Sequence, residues 1–247
     1  MHEQLLTIHY TVRDAAAQQA FYRDVLGMRA VRGGLGYEER QAALVFEESG
    51  VDAASPAPDD LYWKIGIVVG NLDHAVHELR CRGVEVSDPK QFRDIGYLCH
   101  LRDPEGFTIE LLQQGFEGNH CPVVEGHAVG AQATLAHLTL RISDLEHARS
   151  VLADEFGMRL LSIQPVRDLG FTLYFYAWIG DPLPRADLAA VENREWLWAR
   201  PVTLVELQHL ERADGVIAPR SGAAGFRKFV VFKDGREVTI PADRMLS

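Results

Sequence analysis

The chain has 247 residues, 47% of them hydrophobic, which is ample for one large or two small cores and excludes disorder as the main state. Its 35 acidic residues outnumber 25 basic ones for a formal charge of −10, and no Lys/Arg run offers a footprint for nucleic acid or an anionic membrane, so a small molecule is the expected partner. Cys81, Cys99 and Cys121 form no Cys-x-x-Cys pair and no even disulfide set, the first residues lack a basic stretch leading into an apolar one, and no run nears ~18 apolar residues, so the expected compartment is the cytoplasm.

In chain order, the first element is an apolar strand followed by Asp14 as a helix N-cap. About three helical turns come next, then Gly27 as a terminating C′ residue and a second strand at 28–31. The same unit returns at 64–86: strand 64–69, Asn71 as cap, a helix over 72–82 with Leu72, Ala75, Val76 and Leu79 on one face, then Gly83. His74, His77 and Glu78 fall on the polar face of that helix and read as solvated. Residues 114–133 are Gly-rich and aperiodic, which suits a linker, and His120, Cys121 and His127 within it lack the spacing and fourth ligand of a zinc site.

A third copy starts at His137. At a constant offset of 130 residues, Asp14, Asp24, Gly27, Met28 and Arg29 recur as Asp144, Asp154, Gly157, Met158 and Arg159. Phe171, Leu173 and Phe175 then alternate with Thr172, Tyr174 and Tyr176, a strand whose two faces suit core or interface packing, with an aromatic pocket wall as the alternative. A fragmentary fourth copy begins at Phe226, but Lys233-Asp234-Gly235-Arg236 is a hairpin turn and no helix fits before the chain ends.

These motifs resemble the glyoxalase I, bleomycin-resistance and extradiol dioxygenase (vicinal oxygen chelate) superfamily. The carrying segments are Phe21-Tyr22-Arg23-Asp24-Val25-Leu26-Gly27-Met28, Asp103-Pro104-Glu105-Gly106-Phe107-Thr108-Ile109-Glu110-Leu111, Gly170-Phe171-Thr172-Leu173-Tyr174-Phe175, an insert with Pro184 and Trp196-Leu197-Trp198, and Thr203-Leu204-Val205-Glu206-Leu207. The resemblance implies an α+β fold of tandem βαβββ modules forming cupped mixed β-sheets with flanking helices. The expected division is a first domain at 1–115 with two modules, a linker at 116–133 and a second domain at 134–247 with one complete module, its insert and a truncated module.

The resemblance also implies metal ligands on the first and last strands of paired modules. The first-strand position falls on Thr7, Lys64, His137 and Lys228, of which His137 alone is a usual ligand; the last-strand carboxylate falls on Glu110 and Glu206, and near Phe46, Glu47 and Glu48 in module one. If modules two and three share a cup, His137, Glu206 and Glu110 make a set for a divalent ion (Fe, Ni, Zn or Mn), with Lys64 where another ligand would stand. If modules one and two pair, Thr7, His9, His100, Lys64 and Glu110 meet instead.

The reading that follows is a metal-dependent lyase or isomerase for a small vicinally oxygenated substrate, with Glu206 or Glu110 moving the proton and Lys64, His9 and His100 binding substrate. A metal-free protein that sequesters a drug or metabolite is the alternative, and Lys64 and Lys228 support it. Extradiol ring cleavage is a third, disfavoured by the truncated fourth module. A homodimer, covering the unfinished sheet edge, is compatible with each.

Overall fold

The structure, a computed structural model, describes residues 2–51, 57–211, 217–218 and 224–246. Its elements follow from the caps and apolar spacing. Helix α1 (Ala15–Ala20) begins where the Asp14 carboxylate accepts from Ala17 N at 2.9 Å. Asn71 and Asp144 cap α2 (Leu72–Cys81) and α3 (Leu145–Arg149) through His74 N at 3.0 Å and His147 N at 2.9 Å. Each such cap contributes roughly 1 kcal/mol. The helices stop at Gly27, Gly83 and Gly157, whose φ values of 72°, 78° and 72° lie in the left-handed region where a Cβ would be strained. One local feature exceeds the repeat pattern: α1 and α3 run on into π-helical turns at Phe21–Val25 and Ser150–Glu155, whereas α2 has none.

The strands form two mixed sheets. The six-stranded sheet runs β14 (Arg236–Pro241), β13 (Gly225–Lys233), β1 (Gln4–Val12), β4 (Ala43–Glu48), β3 (Gly34–Gly36) and β2 (Arg29–Val31). The eight-stranded sheet runs β10 (Arg159–Val166), β11 (Phe171–Ala177), β12 (Leu204–Leu210), β9 (Thr134–Ile142), β5 (Tyr62–Val69), β8 (Thr108–Gln113), β7 (Gly96–Arg102) and β6 (Lys90–Phe92). The fold is thus the expected α+β arrangement of cupped modules. Module two pairs with module three through antiparallel β5 and β9, and module one pairs with the remnant through antiparallel β1 and β13. The alternative pairing of modules one and two is not formed. The remnant is the expected hairpin, Lys233 opposite Arg236 across Asp234 and Gly235 at φ 50° and 79°.

The two sheets share one core. Tyr10, Phe46 and Phe226 from the six-stranded sheet meet Tyr62 and Phe107 from the eight-stranded one, with Tyr10 ring centroids 5.4–6.2 Å from the other four. Buried Asp103 completes the junction. Its Oδ1 accepts from Glu105 N (3.0 Å) and Phe107 N (2.9 Å), while Oδ2 accepts from Tyr22 Oη (3.0 Å) and Gln18 Nε2. Burial pushes its carboxyl up to about 6 even against those donors. His127, in the Gly-rich segment, accepts on Nδ1 from Val129 N and Gly130 N at 3.2 and 3.1 Å, a turn-forming role. No helix among the described residues is long and apolar enough to cross a membrane.

Candidate functional site

The inner face of the eight-stranded sheet carries the titratable residues singled out from sequence. Register places Gly66 on β5 opposite both His137 on β9 and Glu110 on β8, while Thr139 on β9 lies opposite Lys64 and Glu206. Lys64 Nζ sits 2.6 Å from Glu110 Oε2 and 3.9 Å from Glu206 Oε2. His137 Nε2 lies 3.4 Å from Glu110 Oε1 and 3.2 Å from Glu206 Oε2. His100 Nε2, on β7, is 3.2 Å from Glu110 Oε2. Thr139 Oγ1 donates to Glu206 Oε2 at 2.7 Å.

Gly66 is what lets the imidazole in. A Cβ built there would lie 2.0 Å from His137 Cε1 and Nε2, so any side chain at 66 displaces the ring. An isolated glycine inside a strand, as Gly66 is in β5, signals such a close approach and is a clue to this geometry visible in the sequence.

Above this floor lies a cavity of about 580 Å³ with largely apolar walls, among them Trp63, Leu98, Leu112, Phe171, Phe175 and Trp198. The Phe171–Leu173–Phe175 face therefore lines a pocket, the alternative to simple core packing. The insert between β11 and β12 closes one side: α4 (Glu192–Trp198) sets Trp198 Nε1 to donate to Ile95 O at 3.1 Å, and buried Arg194 pairs with Asp94 at 2.7 Å. Glu195 Oε1 accepts from Phe116 N and Asn119 Nδ2 at 2.9 and 2.8 Å, tying the helix to the segment after β8. Arg93 and Asp168, on turns at opposite rims, form an exposed ion pair. Burial raises the Cys99 thiol to about 12, so this wall residue is a thiol, not a thiolate nucleophile.

Electrostatically the floor is a compact ionic cluster. Desolvation by itself would raise the Glu110 carboxyl, but the Lys64 ammonium, aided by His100 and His137, holds it well below the usual carboxylate range. The side chains of Lys64, Glu110, His137 and Glu206 are 4%, 6%, 1% and 1% exposed, so the charges interact with little screening. Glu206 Oε1 and His137 Nδ1 are buried without a hydrogen-bond partner among the described residues.

The donor set does not fit a resident divalent ion. His137, Glu110 and Glu206 do converge, but the fourth position is an ammonium already in contact with Glu110. At ~4 Å and an effective dielectric constant of ~20, unlike or like unit charges interact by about 4 kcal/mol, so a dication there meets roughly twice that in repulsion from Lys64, which cancels its attraction to one of the two carboxylates. Among the described residues no group of three or more His, Cys, Asp or Glu side chains is arranged to hold a metal. The metal role expected for His137, Glu206 and Glu110 is therefore not carried forward.

Of the residues named from sequence, Lys64, His100, Glu110, His137 and Glu206 share this cavity. His9 does not. It lies on β1 opposite Lys228 and Val45, with Nε2 2.9 Å from Thr7 Oγ1 and Nδ1 3.3 Å from Glu47. Burial lowers its pKa. The His9 substrate-contact expectation thus fails, because it required modules one and two to pair.

Residues 4–111 match the model of the Glyoxalase/Bleomycin resistance protein/Dioxygenase superfamily. Among curated proteins, a probable chloroplastic lactoylglutathione lyase of Arabidopsis thaliana is 25% identical over 186 residues, 69% of this chain; the chain spans about half (49%) of that relative's length. Among solved structures, glyoxalase I from Zea mays aligns over 93% of this chain and 74% of its own, with a TM-score of 0.63 and 17% identity. A putative dioxygenase from Bacillus subtilis aligns over 95% and 67%, with a TM-score of 0.52 and 14% identity. These identities speak to fold alone. The match over residues 4–111 makes that part of the chain similar to the Glyoxalase/Bleomycin resistance protein/Dioxygenase superfamily, and the paired βαβββ cups share the fold of these solved structures.

Proposed function

We propose that the eight-stranded cup is the site of a metal-independent isomerase- or lyase-type proton transfer on a small, vicinally oxygenated molecule. The observation that carries this reading is the pairing, at the base of an apolar cavity, of an ammonium (Lys64) with a buried carboxylate (Glu206) that has one oxygen unpartnered. An α-hydroxycarbonyl compound would rest its body against Trp63, Phe175 and Trp198. Its carbonyl oxygen would face Lys64, where charge develops as the adjacent C–H bond breaks. Glu206 Oε1 takes that proton, the bonding electrons move onto the carbonyl oxygen as an enediolate, and the isomerisation is completed when Glu206 returns the proton to the former carbonyl carbon while the hydroxyl proton passes to the former carbonyl oxygen. Thr139 fixes the Glu206 carboxylate through Oε2, and Glu110 fixes Lys64. His100, 38% exposed at the edge of the cavity and touching Glu110, links the floor to solvent for proton exchange.

The test uses 2-hydroxyacetophenone, a flat aromatic α-hydroxyketone. In D2O, proton NMR should show wild-type protein accelerating loss of the α-CH signal, and Glu206→Gln slowing it by ~100-fold or more. Quenching of Trp63 and Trp198 fluorescence by the probe should persist in that variant. Quenching without any exchange by wild type would instead favour the metal-free sequestering role.

A further inference from the structure

The cup is built from two copies of one pattern. Lys64 stands two residues before Gly66, which faces Glu110; His137 stands two residues before Thr139, which faces Glu206. The pairs Lys64/Glu110 and His137/Glu206 therefore occupy equivalent positions in modules two and three, and all four side chains converge within 3.9 Å contacts. The copies differ in one respect that matters to a cation. Module three presents a ring nitrogen with a lone pair, and module two presents a positive charge.

We propose that Lys64 serves as the built-in cation of this cup, and that this single side chain is what separates the site from a divalent-metal centre. Its ammonium offsets one of the two carboxylate charges that would otherwise attract a dication, and it repels an ion from the position between Glu110, Glu206 and His137. The second, independent observation is that His137 Nε2 lies within 3.4 Å of both carboxylates while Glu206 Oε1 is buried with no hydrogen-bond partner among the described residues, so ligand-type atoms converge beside the ammonium. Replacing Lys64 with the residue type of its equivalent, His137, would restore a two-His, two-carboxylate set of the kind that holds Zn²⁺ or Ni²⁺. The inference rests on the metal-independent reading above but is tested without any activity.

After dialysis against EDTA and then chelator-free buffer, wild type, Lys64→His and Lys64→Gln are titrated with Zn²⁺ and Ni²⁺ by calorimetry. Circular dichroism and thermal melts establish that each is folded. The expected result is that Lys64→His binds one equivalent at least ~100-fold more tightly than wild type, and that adding His137→Ala to it abolishes the gain. Lys64→Gln, which removes the charge without a strong ligand, should bind between the two and guards against misfolding of the histidine variant. The proposal is overturned if wild type binds one equivalent as tightly as Lys64→His, or if neither folded variant gains affinity. Because proton exchange on 2-hydroxyacetophenone is read separately, failed catalysis with a positive metal gain rejects the proposed reaction and leaves this inference standing.

Discussion

The two half-cups are built on one plan, yet among the described residues the cavity with the ionic floor lies in the eight-stranded one, and equivalent positions show why. Where β5 has Lys64 and Gly66, β1 has Thr7 and His9; where β8 has Glu110, β4 has Val45; where β9 has His137, β13 has Lys228. In the six-stranded half the imidazole of His9 fills space that Gly66 leaves open in the other, and no carboxylate faces it from the Glu110 position. The remnant hairpin also returns antiparallel along β13, whereas β12 runs parallel to β9 and delivers Glu206 to the floor. A shared backbone thus sets where a site can be, while a glycine and two carboxylates decide whether it exists.

The comparison is broken most severely at its charge centre. Lys64→Met strands Glu110 and Glu206 as buried carboxylates and should lower unfolding free energy by about 3–5 kcal/mol. Lys228→Met, at the half-buried equivalent of His137, should change it by less than ~1 kcal/mol. Denaturant titration of both variants measures the contrast, and Lys64→Met combined with Glu110→Gln should recover much of the loss. Gly66→Ala comes next: forcing a Cβ into the His137 ring should cost about 1–3 kcal/mol and shift the His137 imidazole NMR signals. His9→Gly at the matching position should disturb neither by a comparable amount.

Two buried carboxylates sharpen the contrast through opposite pH signatures. Glu110 is held below its ordinary 4.5 when folded, so its contribution is present above that value and is lost as pH falls through the lower folded one. Asp103, between the halves, is raised from 3.8 to about 6, so its contribution is full below 3.8 and is lost as pH rises through about 6. Subtracting the stability-versus-pH curves of Glu110→Gln and Asp103→Asn from wild type should therefore give slopes of opposite sign, in separate windows. The smallest effect is expected at the rim. Arg93→Ala removes an exposed ion pair with Asp168, and the melting temperature should not move measurably. Stopped-flow tryptophan quenching by 2-hydroxyacetophenone should nonetheless show faster entry, since the two partners adjoin the cavity-lining residues Phe92 and Leu169.

Local chemistry was readable from residue order. Asp14, Asn71 and Asp144 as caps, Gly27, Gly83 and Gly157 as stops, and Asp234-Gly235 as a hairpin turn each act over a few residues, so the three modules and the remnant follow from the sequence by itself. Glu110, Glu206, His137 and Lys64 became the residues to watch only through the family resemblance, which assigns ligand positions to the first and last strands of each module. Tertiary structure alone decided which modules pair, because β5 and β1 are both apolar strands able to accept either neighbour. That choice placed His9 outside the cavity and put His100 inside it. It also brought α4, through Arg194 and Trp198, over the cavity wall, a contact between segments some 100 residues apart for which no local pattern exists. Finally, whether Lys64 would be a spectator or the centre of the floor depended on a 2.6 Å contact with Glu110, and distances of that kind are set by sheet register rather than by residue type.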